Sequence, residues 1–528
     1  MFKVILCDRV AEEGIELLKD NPEIKLEIMD TVSKSDLLNF VEDADAVITR
    51  SATTIDKNFL SKAKKLKVIG RAGVGVDNID IEEASRRGII VMNVPAGNTL
   101  AAVELTMTHI LCALRSLPNA CCELKHNHIW NRKKWIGMEL SEKTLGIIGF
   151  GRIGSRVATR CMSFGAKIVT YDPYIKKEKA TSLGCRIVDT LDELLAISDI
   201  ITIHTPKTEE TYNMITSKQI EKMKDGVILI NCARGGLYNE NDLYDALKNG
   251  KIKSLSIDVF DNEPVKNHKI FELENVFVTP HIGGSTRESQ IRVGVQVAQQ
   301  VMDALKGRDY ANAVNLPFVR GEIPDHLQPF FGLAEQIGSF IVQVANGSVQ
   351  RVQIEGRGEI SEFIESLRVF SLVGLLKPIL GEDVNYVNAP YLTKERGIVV
   401  EKEKEIKPLY FKNFVQLSVW TDKETLSVGG TVFEENRARI VTIDGFSMEV
   451  EPSGIIIVIK NYDKPGVIGQ VGTILGENNI NIADFRLARK KGEKEALALI
   501  KIDAPASSSV VDKLSQISGI LYIKQIKF

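Results

Sequence analysis

Three side chains stand where a redox reaction on a small hydroxy acid would need them. Arg234 lies in N-C-A-R-G-G, Glu263 in D-V-F-D-N-E-P and His281 in T-P-H-I-G-G-S-T, all after apolar runs that read as strands. Oxidising an alcohol beside a carboxylate requires a base for the hydroxyl proton and a cation for the carboxylate. Histidine exchanges protons near neutral pH, and a neighbouring carboxylate favours its protonated form and fixes the ring. A guanidinium grips a carboxylate through two parallel hydrogen bonds, which lysine cannot do. Singly, His281 also reads as a loop histidine, Arg234 as a surface ion pair and Glu263 as a turn charge before Pro264. Their order behind the motif described next makes the joint reading the stronger one.

That motif is the stretch Thr144 to Asp172. The apolar run Leu145, Ile147, Ile148 ends in Gly149, Gly151 and Gly154, and Val157, Ala158 and Cys161 recur at helical spacing. A second β-branched run, Lys167 to Tyr171, closes on Asp172. Glycines there let the backbone turn and let a pyrophosphate approach the amides and positive end of the new helix. Asp172, about twenty residues on, sits where a carboxylate accepts hydrogen bonds from an adenosine ribose. Pro173 and Tyr174 follow it, with no Arg, which favours NAD over NADP. His204, with Thr205 and Pro206 behind it, reads as lining the cofactor trough. Asp258 reads either as a contact to the nicotinamide amide or as a plain strand-end acid.

These residues need a scaffold of alternating strands and helices. Residues 1 to about 97 supply one, with strands at Val4–Leu6, Ala46–Thr49, Val68–Ile69 and Ile89–Val91 and a helix around Ile15–Leu18. Such alternation implies a parallel sheet covered on both faces. Arg50 and the run R-A-G-V-G (Arg71, Val74 and Gly75 within it) follow strands, where open α/β sheets hold ligands. The run reads as an anion-contacting loop or as a glycine turn. Asn98–Leu117 has the pattern of a central apolar helix through Leu100, Val103, Leu105, Ile110, Leu111 and Leu114. Beyond it, Arg132, Lys133 and Lys134 sit between Trp130 and Trp135, a solvated face by default that can also reach a phosphate. Further strands are expected at Ile187–Val188, Ile200–His204, Val227–Asn231, Ser254–Asp258 and Val276–Thr279. The helix Gln290–Leu305 is expected to fold back on the first domain. Val400–Lys407 reads as loop or edge strand, and Gly430–Phe433 and Ile440–Gly445 as paired strands. The last seventy-odd residues read βαββαβ, a ferredoxin-like order.

The chain has 528 residues, enough for three or four domains, with 67 Lys+Arg against 69 Asp+Glu. That balance offers no general field for nucleic acid or anionic lipid. Seven scattered cysteines without C-x-x-C argue for a reducing cytoplasm and against a zinc site. No uncharged apolar run approaches a membrane span.

Taken together, G-F-G-R-I-G, Y-D-P, H-T-P, N-C-A-R-G-G, D-V-F-D-N-E-P and P-H-I-G-G-S-T closely resemble the D-isomer-specific 2-hydroxyacid dehydrogenases. Length and R-A-G-V-G-V-D-N-I-D make the chain similar to the long members that oxidise 3-phospho-D-glycerate to 3-phosphohydroxypyruvate, the entry to serine. The resemblance implies an α/β fold with a discontinuous flavodoxin-like substrate domain (1–97 and 281–316) and a Rossmann NAD-binding domain (98–280). An α+β intervening domain (317–452) and a C-terminal ferredoxin-like ACT domain (453–528) would follow. It implies His281 as acid/base, Glu263 as its partner and Arg234 as carboxylate clamp. Around NAD it implies Gly149, Gly151, Arg152, Ile153, Gly154, Asp172, His204, Thr205, Pro206, Cys232, Ala233, Arg234, Asp258, His281, Gly283 and Gly284. Arg50, Arg71, Val74, Gly75 and Arg132 would hold substrate, Arg132 from a neighbouring subunit. Asn461, Asp463 and Asn481 match serine-binding positions of the ACT module, and a dimer or tetramer is expected. A reductase for glyoxylate or hydroxypyruvate, or a non-enzymatic NADH-sensing corepressor, are the alternatives.

Overall fold

The computed structural model describes residues 1–316, 323–405, 407, 410–490, 492 and 494–528 (backbone alone for 34 and 435). The first sheet contains β1 Phe2–Leu6, β2 Ile24–Ile28, β3 Ala46–Thr49, β4 Val68–Arg71 and β5 Ile90–Met92, all parallel, in the order β2-β1-β3-β4-β5. β3 is buried at every position, as a parallel strand covered on both faces must be. Val4, Leu6 and Ile48 pack on Val293, Val297 and Val301 of the helix Arg287–Leu305. Ile5, Val47 and Ile69 face Leu37, Phe59 and Leu60 on the other side. A Cβ at Gly14 would lie 2.5 Å from the carbonyl oxygen of Gly294, so the helices Glu12–Lys19 and Arg287–Leu305 cross almost backbone to backbone. The late helix thus completes the core of the first sheet.

The second sheet has seven parallel strands: β6 Thr144–Ile148, β7 Lys167–Tyr171, β8 Arg186–Ile187, β9 Ile200–Ile203, β10 Val227–Asn231, β11 Ile252–Ile257 and β12 Val276–Val278. Their order is β12-β11-β10-β9-β6-β7-β8, so the winding reverses between β6 and β9. Open α/β sheets bind ligands at such a reversal, outside the carboxyl ends of the strands. Ile201, Ile203 and Leu229 face one core, and Ile200, Ile228 and Ile230 the other, with a period of two. Thr99–Arg115 covers the second face through Val103, Met107, Ile110 and Leu114.

This helix departs from expectation. Ser116 has φ 47°, a left-handed break, and a separate helix Leu117–Asn127 follows with no buried residue. Leu100 is exposed rather than central, because the sheet covers only one side of the helix.

Two smaller sheets complete the chain. β13 Val349–Arg357, β14 Val399–Glu405, β15 Phe414–Thr421, β16 Thr425–Phe433, β17 Arg437–Ile443 and β18 Phe446–Val450 pair in the order β14-β13-β15-β16-β17-β18. The charged segment is therefore an edge strand, and β16 and β17 are antiparallel neighbours. Ile406, within that segment, and the boundary expected at 317 lie outside the described residues. The helices Pro329–Val344 and Ile364–Leu380 meet through glycines, where a Cβ on Gly374 would fall 1.9 Å from the Glu335 carbonyl oxygen. β19 Ile455–Tyr462, β20 Ile482–Arg489, β21 Glu495–Ile502 and β22 Ile520–Lys527 form an antiparallel sheet, β20-β21-β19-β22. That is the ferredoxin-like order.

Gly374→Ala forces a methyl group into a backbone contact, and overpacking of this kind costs about 1–3 kcal/mol. The expected result is a lower urea midpoint, with unchanged slope, for unfolding of the domain that holds this helix pair.

Candidate active site

His281 follows β12 and adopts φ 54°, a backbone region that side-chain-bearing residues seldom occupy. The loop is held from below by Asp258, at the end of β11. Its fully buried carboxylate accepts hydrogen bonds from the Thr279 hydroxyl (2.5 Å), the Ile282 N–H (2.8 Å) and the Gly283 N–H (2.8 Å). Asp258 thus sets the geometry of the loop that carries His281. The His281 ring meets Glu263 through Nδ1 and Oε2 at 2.5 Å, while Glu263 Oε1 accepts the Phe260 N–H at 2.9 Å. This leaves Nε2 as the ring nitrogen not engaged by Glu263.

The pair polarises itself. The hydrogen bond to Glu263 raises the His281 pKa above its ordinary 6.5 despite burial, with Asp258 adding to the rise and Arg234 opposing it. Burial alone would push the Glu263 carboxyl up, but the hydrogen bonds from His281 and the Phe260 N–H outweigh it and hold it low. The imidazolium–carboxylate state therefore persists over a widened pH range.

A cavity of about 610 Å³ opens in front of this pair, lined by Arg50, Arg71, Asn98, Glu263, His281 and Gly284 among others. Arg71 lies at the end of β4, largely buried, and its Nε has no hydrogen-bond partner among the described residues. Burial, then Arg234 and Arg50, lower its pKa to about 10. Three guanidinium groups gathered at and beside one cavity, with Asp77 and Asp8 as the acids acting on Arg71, suit an anionic ligand. Arg234 stands beside Gly75, where a Cβ would come within 2.6 Å of its guanidinium, and its Nε is 3.5 Å from Asp77. Arg50 is placed by Asp8, which accepts hydrogen bonds from the Arg50 N–H (2.6 Å), the Thr49 hydroxyl (3.0 Å) and both donors of Thr53 (3.2 and 2.7 Å). Val74 is tied through its carbonyl to Asn93 at 2.6 Å.

The glycine loop lies at the β6/β9 reversal. Gly149 has φ +88° and no room for a Cβ, with the His204 carbonyl oxygen 2.6 Å away. A Cβ on Gly154 would fall 2.1 Å from the Gly149 carbonyl oxygen, whereas around Gly151 nothing lies within 4 Å. The loop is closed below and open above, as a pyrophosphate requires. Arg152 and Ile153 lead from it into the helix Gly154–Ser163. Asp172 receives the Phe150 N–H (2.8 Å) on one oxygen and the Tyr174 N–H (2.9 Å) on the other, which leaves lone pairs for a ribose. Burial lowers the His204 pKa to about 4, so its ring is neutral, with Nε2 on Thr202 at 3.0 Å. His204 Nδ1 and the Thr205 hydroxyl are buried with no partner among the described residues. Cys232 and Ala233 are buried, and burial pushes the Cys232 thiol up, which makes it a packing residue rather than a thiolate. These features fit a dinucleotide.

The comparisons agree with the geometry. Residues 107–283 match the family model described as D-isomer specific 2-hydroxyacid dehydrogenase, NAD binding domain. Residues 326–444 match the D-3-phosphoglycerate dehydrogenase intervening domain, and 455–519 the ACT domain. The D-3-phosphoglycerate dehydrogenase of Methanocaldococcus jannaschii is 41% identical over 521 residues, covering 98% of each chain. The chain belongs to the D-3-phosphoglycerate dehydrogenase family. The Bacillus subtilis member is 38% identical over 100% of this chain and 99% of its own. A D-lactate dehydrogenase from Aquifex aeolicus, solved with NAD and lactic acid, covers 59% of this chain and 98% of its own, at 33% identity and TM-score 0.53.

Not every family position converges. Arg132 is exposed, and Lys134 beside it pairs with Glu123 (3.4 Å) and Glu274 (2.7 Å). Glu274 precedes β12 whereas His281 follows it, so Arg132 stands by the wrong end of the sheet for its own cleft. Asp463 and Asn481 are also apart. The ladders set Tyr462 opposite Glu495 but Ile482 opposite Ile502, at the two ends of β21. Asp463 pairs with Arg489 at 3.0 Å, and Asn481 with Asp503 at 2.6 Å. Buried Asn461 donates to the Tyr462 carbonyl. Sequence reasoning passed over Asp8, although it follows a strand just as Arg50 does, and Asn98, whose Oδ1 is buried without a partner among the described residues.

Because the His281 pKa is raised, its bond to Glu263 contributes stability that is complete below the unfolded histidine's pKa. That contribution is lost as pH rises through the folded value. For Glu263 the contribution is present above the ordinary carboxyl pKa and is lost as pH falls through the depressed one. Glu263→Gln should lower the His281 pKa, read by NMR of the labelled imidazoles; an unchanged titration would remove Glu263 as the cause.

Proposed function

We propose that this NAD-dependent oxidoreductase converts 3-phospho-D-glycerate to 3-phosphohydroxypyruvate, supplying serine synthesis. The observation that carries the reading is the His281–Glu263 pair opening on a cavity shared with Arg50 and Arg71, with Arg234 alongside. A substrate with two anionic groups calls for more than one guanidinium, and a simple hydroxy acid needs only a clamp for its carboxylate. NAD, when bound, supplies the hydride acceptor. Arg234 holds the carboxylate. His281 Nε2 takes the C2 hydroxyl proton, and Glu263 stabilises the resulting imidazolium through Nδ1. Arg50 and Arg71 hold the phosphate.

Oxidation requires neutral His281, so kcat/KM should rise with pH through the raised pKa of that ring. His281→Ala should lower kcat by roughly 10²–10⁴-fold, the usual worth of a general base, with NAD affinity preserved in a fluorescence titration. Across a panel, 3-phospho-D-glycerate should exceed D-glycerate and D-lactate in kcat/KM, and Arg71→Leu should erase most of that preference. Equal rates on all three, or a preference for reducing glyoxylate, would exclude the phosphorylated substrate.

The regulatory and assembly readings rest on separate observations. Leu117, Leu124, Ile129, Trp130 and Ile136 are all exposed within one stretch of the chain, and clustered exposed apolar residues mark interaction surfaces. A second copy is the proposed partner, and the assembly would also bring Arg132 within reach of another chain's cleft. Ile136→Lys should shift the sedimenting species towards monomer. A single serine touching both Asp463 and Asn481 must likewise sit between two chains. Millimolar serine should slow the enzyme, and Asp463→Ala should abolish the effect. The seven free cysteines suit a reducing compartment such as the cytoplasm.

A further inference from the structure

The helix Thr99–Arg115 carries one buried histidine that the mechanism above does not use. His109 is 4% exposed and lies between two hydroxyls: Nδ1 is 2.7 Å from Ser256 Oγ, on β11, and Nε2 is 3.0 Å from Thr279 Oγ1, just past β12. The proton count settles the direction of each bond. The Thr279 hydroxyl has a single hydrogen, and it goes to Asp258 at 2.5 Å, because a carboxylate only accepts. Facing His109, Thr279 Oγ1 can therefore only accept, so Nε2 carries the ring proton. Nδ1 is then bare and accepts from Ser256. The chain runs one way: Ser256 hydroxyl to His109, His109 to Thr279, Thr279 to Asp258.

Asp258 is where this chain meets the active-site loop. Its two oxygens also hold the N–H groups of Ile282 and Gly283, immediately after His281, while Thr279 lies two residues before it. Both flanks of His281 are thus anchored, through Thr279 and Asp258, to one imidazole on a helix of the NAD-binding domain. The same helix runs close to the loop at a second place, since a Cβ built on Gly283 would reach within 3.9 Å of Leu105. The loop needs such support because His281 holds a left-handed backbone conformation that it would not keep unaided.

We propose that His109 is a positioning residue for proton transfer at His281, fixing through Thr279 and Asp258 the loop that sets the imidazole against Glu263. The proposal rests on the reading of His281 as the base. Burial keeps His109 neutral against the opposing pull of Asp258, the charged group that acts on it. The groups acting on His281 are Glu263, Asp258 and Arg234.

The test compares His109→Leu, which removes the relay, with His109→Gln, whose amide supplies one acceptor and one donor. It reads steady-state kinetics with 3-phospho-D-glycerate and an NMR titration of His281 in the ligand-free protein. His109→Leu should lower kcat roughly tenfold, in line with the cost of a small misplacement of a reacting group, while KM stays within about twofold. A loop that drifts from Glu263 loses the contact that raises the His281 pKa, so the acid limb and the NMR titration should both move to lower pH, by about half a unit or more. His109→Gln should restore rate and titration together. A His109→Leu protein with a lower melting temperature but unchanged kcat and His281 titration would reduce His109 to a packing residue and overturn the proposal. Should His109→Leu not fold, Thr279→Val against Thr279→Ser asks the same question, and equal titrations in that pair overturn it. Absence of turnover in the unaltered enzyme, with the NMR shift still present in His109→Leu, would remove the substrate reading while upholding the positioning role.

Discussion

The bond between His281 Nδ1 and Glu263 is the interaction on which the site depends. It joins two loops that leave neighbouring strands, β11 and β12, and it fixes which ring nitrogen faces the cavity. A carboxylate on one side of an imidazole makes the other nitrogen a stronger base. Everything beneath the pair serves its geometry. Phe260 donates to one oxygen of Glu263, and Asp258 gathers three donors from around His281. A buried carboxylate with three donors is satisfied, whereas the same group without them would be costly.

The site lies between two parallel sheets, each presenting the carboxyl ends of its strands. The first contributes cations: Arg50 after β3, and Arg71 with the Val74–Gly75 backbone after β4. The second contributes the glycine loop after β6, Arg234 after β10, Glu263 after β11 and His281 after β12. Backbone dipoles and free N–H groups gather at those ends, so anionic ligands suit both sides of the cleft. Arg71 illustrates the cost of assembling it. Burial first, and then the neighbouring Arg234 and Arg50, hold the Arg71 pKa below its ordinary value, with Asp77 and Asp8 opposing them. Such an arrangement is a binding device, since an anion turns repulsion into attraction.

The domains beyond the cleft join it through contacts of a different kind. The Asn385 amide donates to the Gly88 carbonyl at 2.8 Å, and Arg86 pairs with Glu395 at 2.7 Å, so the intervening domain meets the first sheet next to β5. Gln343 donates to and accepts from the backbone of Lys527, closing the edge of the ACT sheet on the helix before it. The junction with the first sheet is thus polar and of limited extent, a kind that commonly permits relative movement, whereas the ACT sheet shares one apolar core with the intervening domain, with Ile456, Val458, Leu497, Leu499 and Ile526 in the same cluster as Ile337 and Phe340.

Much of this was legible in the chain itself. Strands such as Ala46–Thr49, Lys167–Tyr171 and Val227–Asn231 stand where their apolar runs indicate, since a parallel strand buried on both faces has no alternative composition. The glycine spacing and the Arg234, Glu263, His281 set were likewise readable, because local backbone demands and side-chain chemistry are written residue by residue. What the sequence leaves open is everything that depends on distance across the fold. Leu100 and Ser116 show it for the long helix, where burial is decided by which face meets a sheet. Asp463 and Asn481 show it for the ACT module, where two apt residues end at opposite ends of one strand ladder. Asp258, readable in the chain as a strand-end acid or a ligand contact, gains its role as anchor of the His281 loop only in the fold, and His109, silent as a letter in an apolar helix, acquires its partners from β11 and the loop after β12. Hydrogen bonds between residues more than a hundred positions apart have no periodicity to reveal them; only the packing of helix against sheet brings them together.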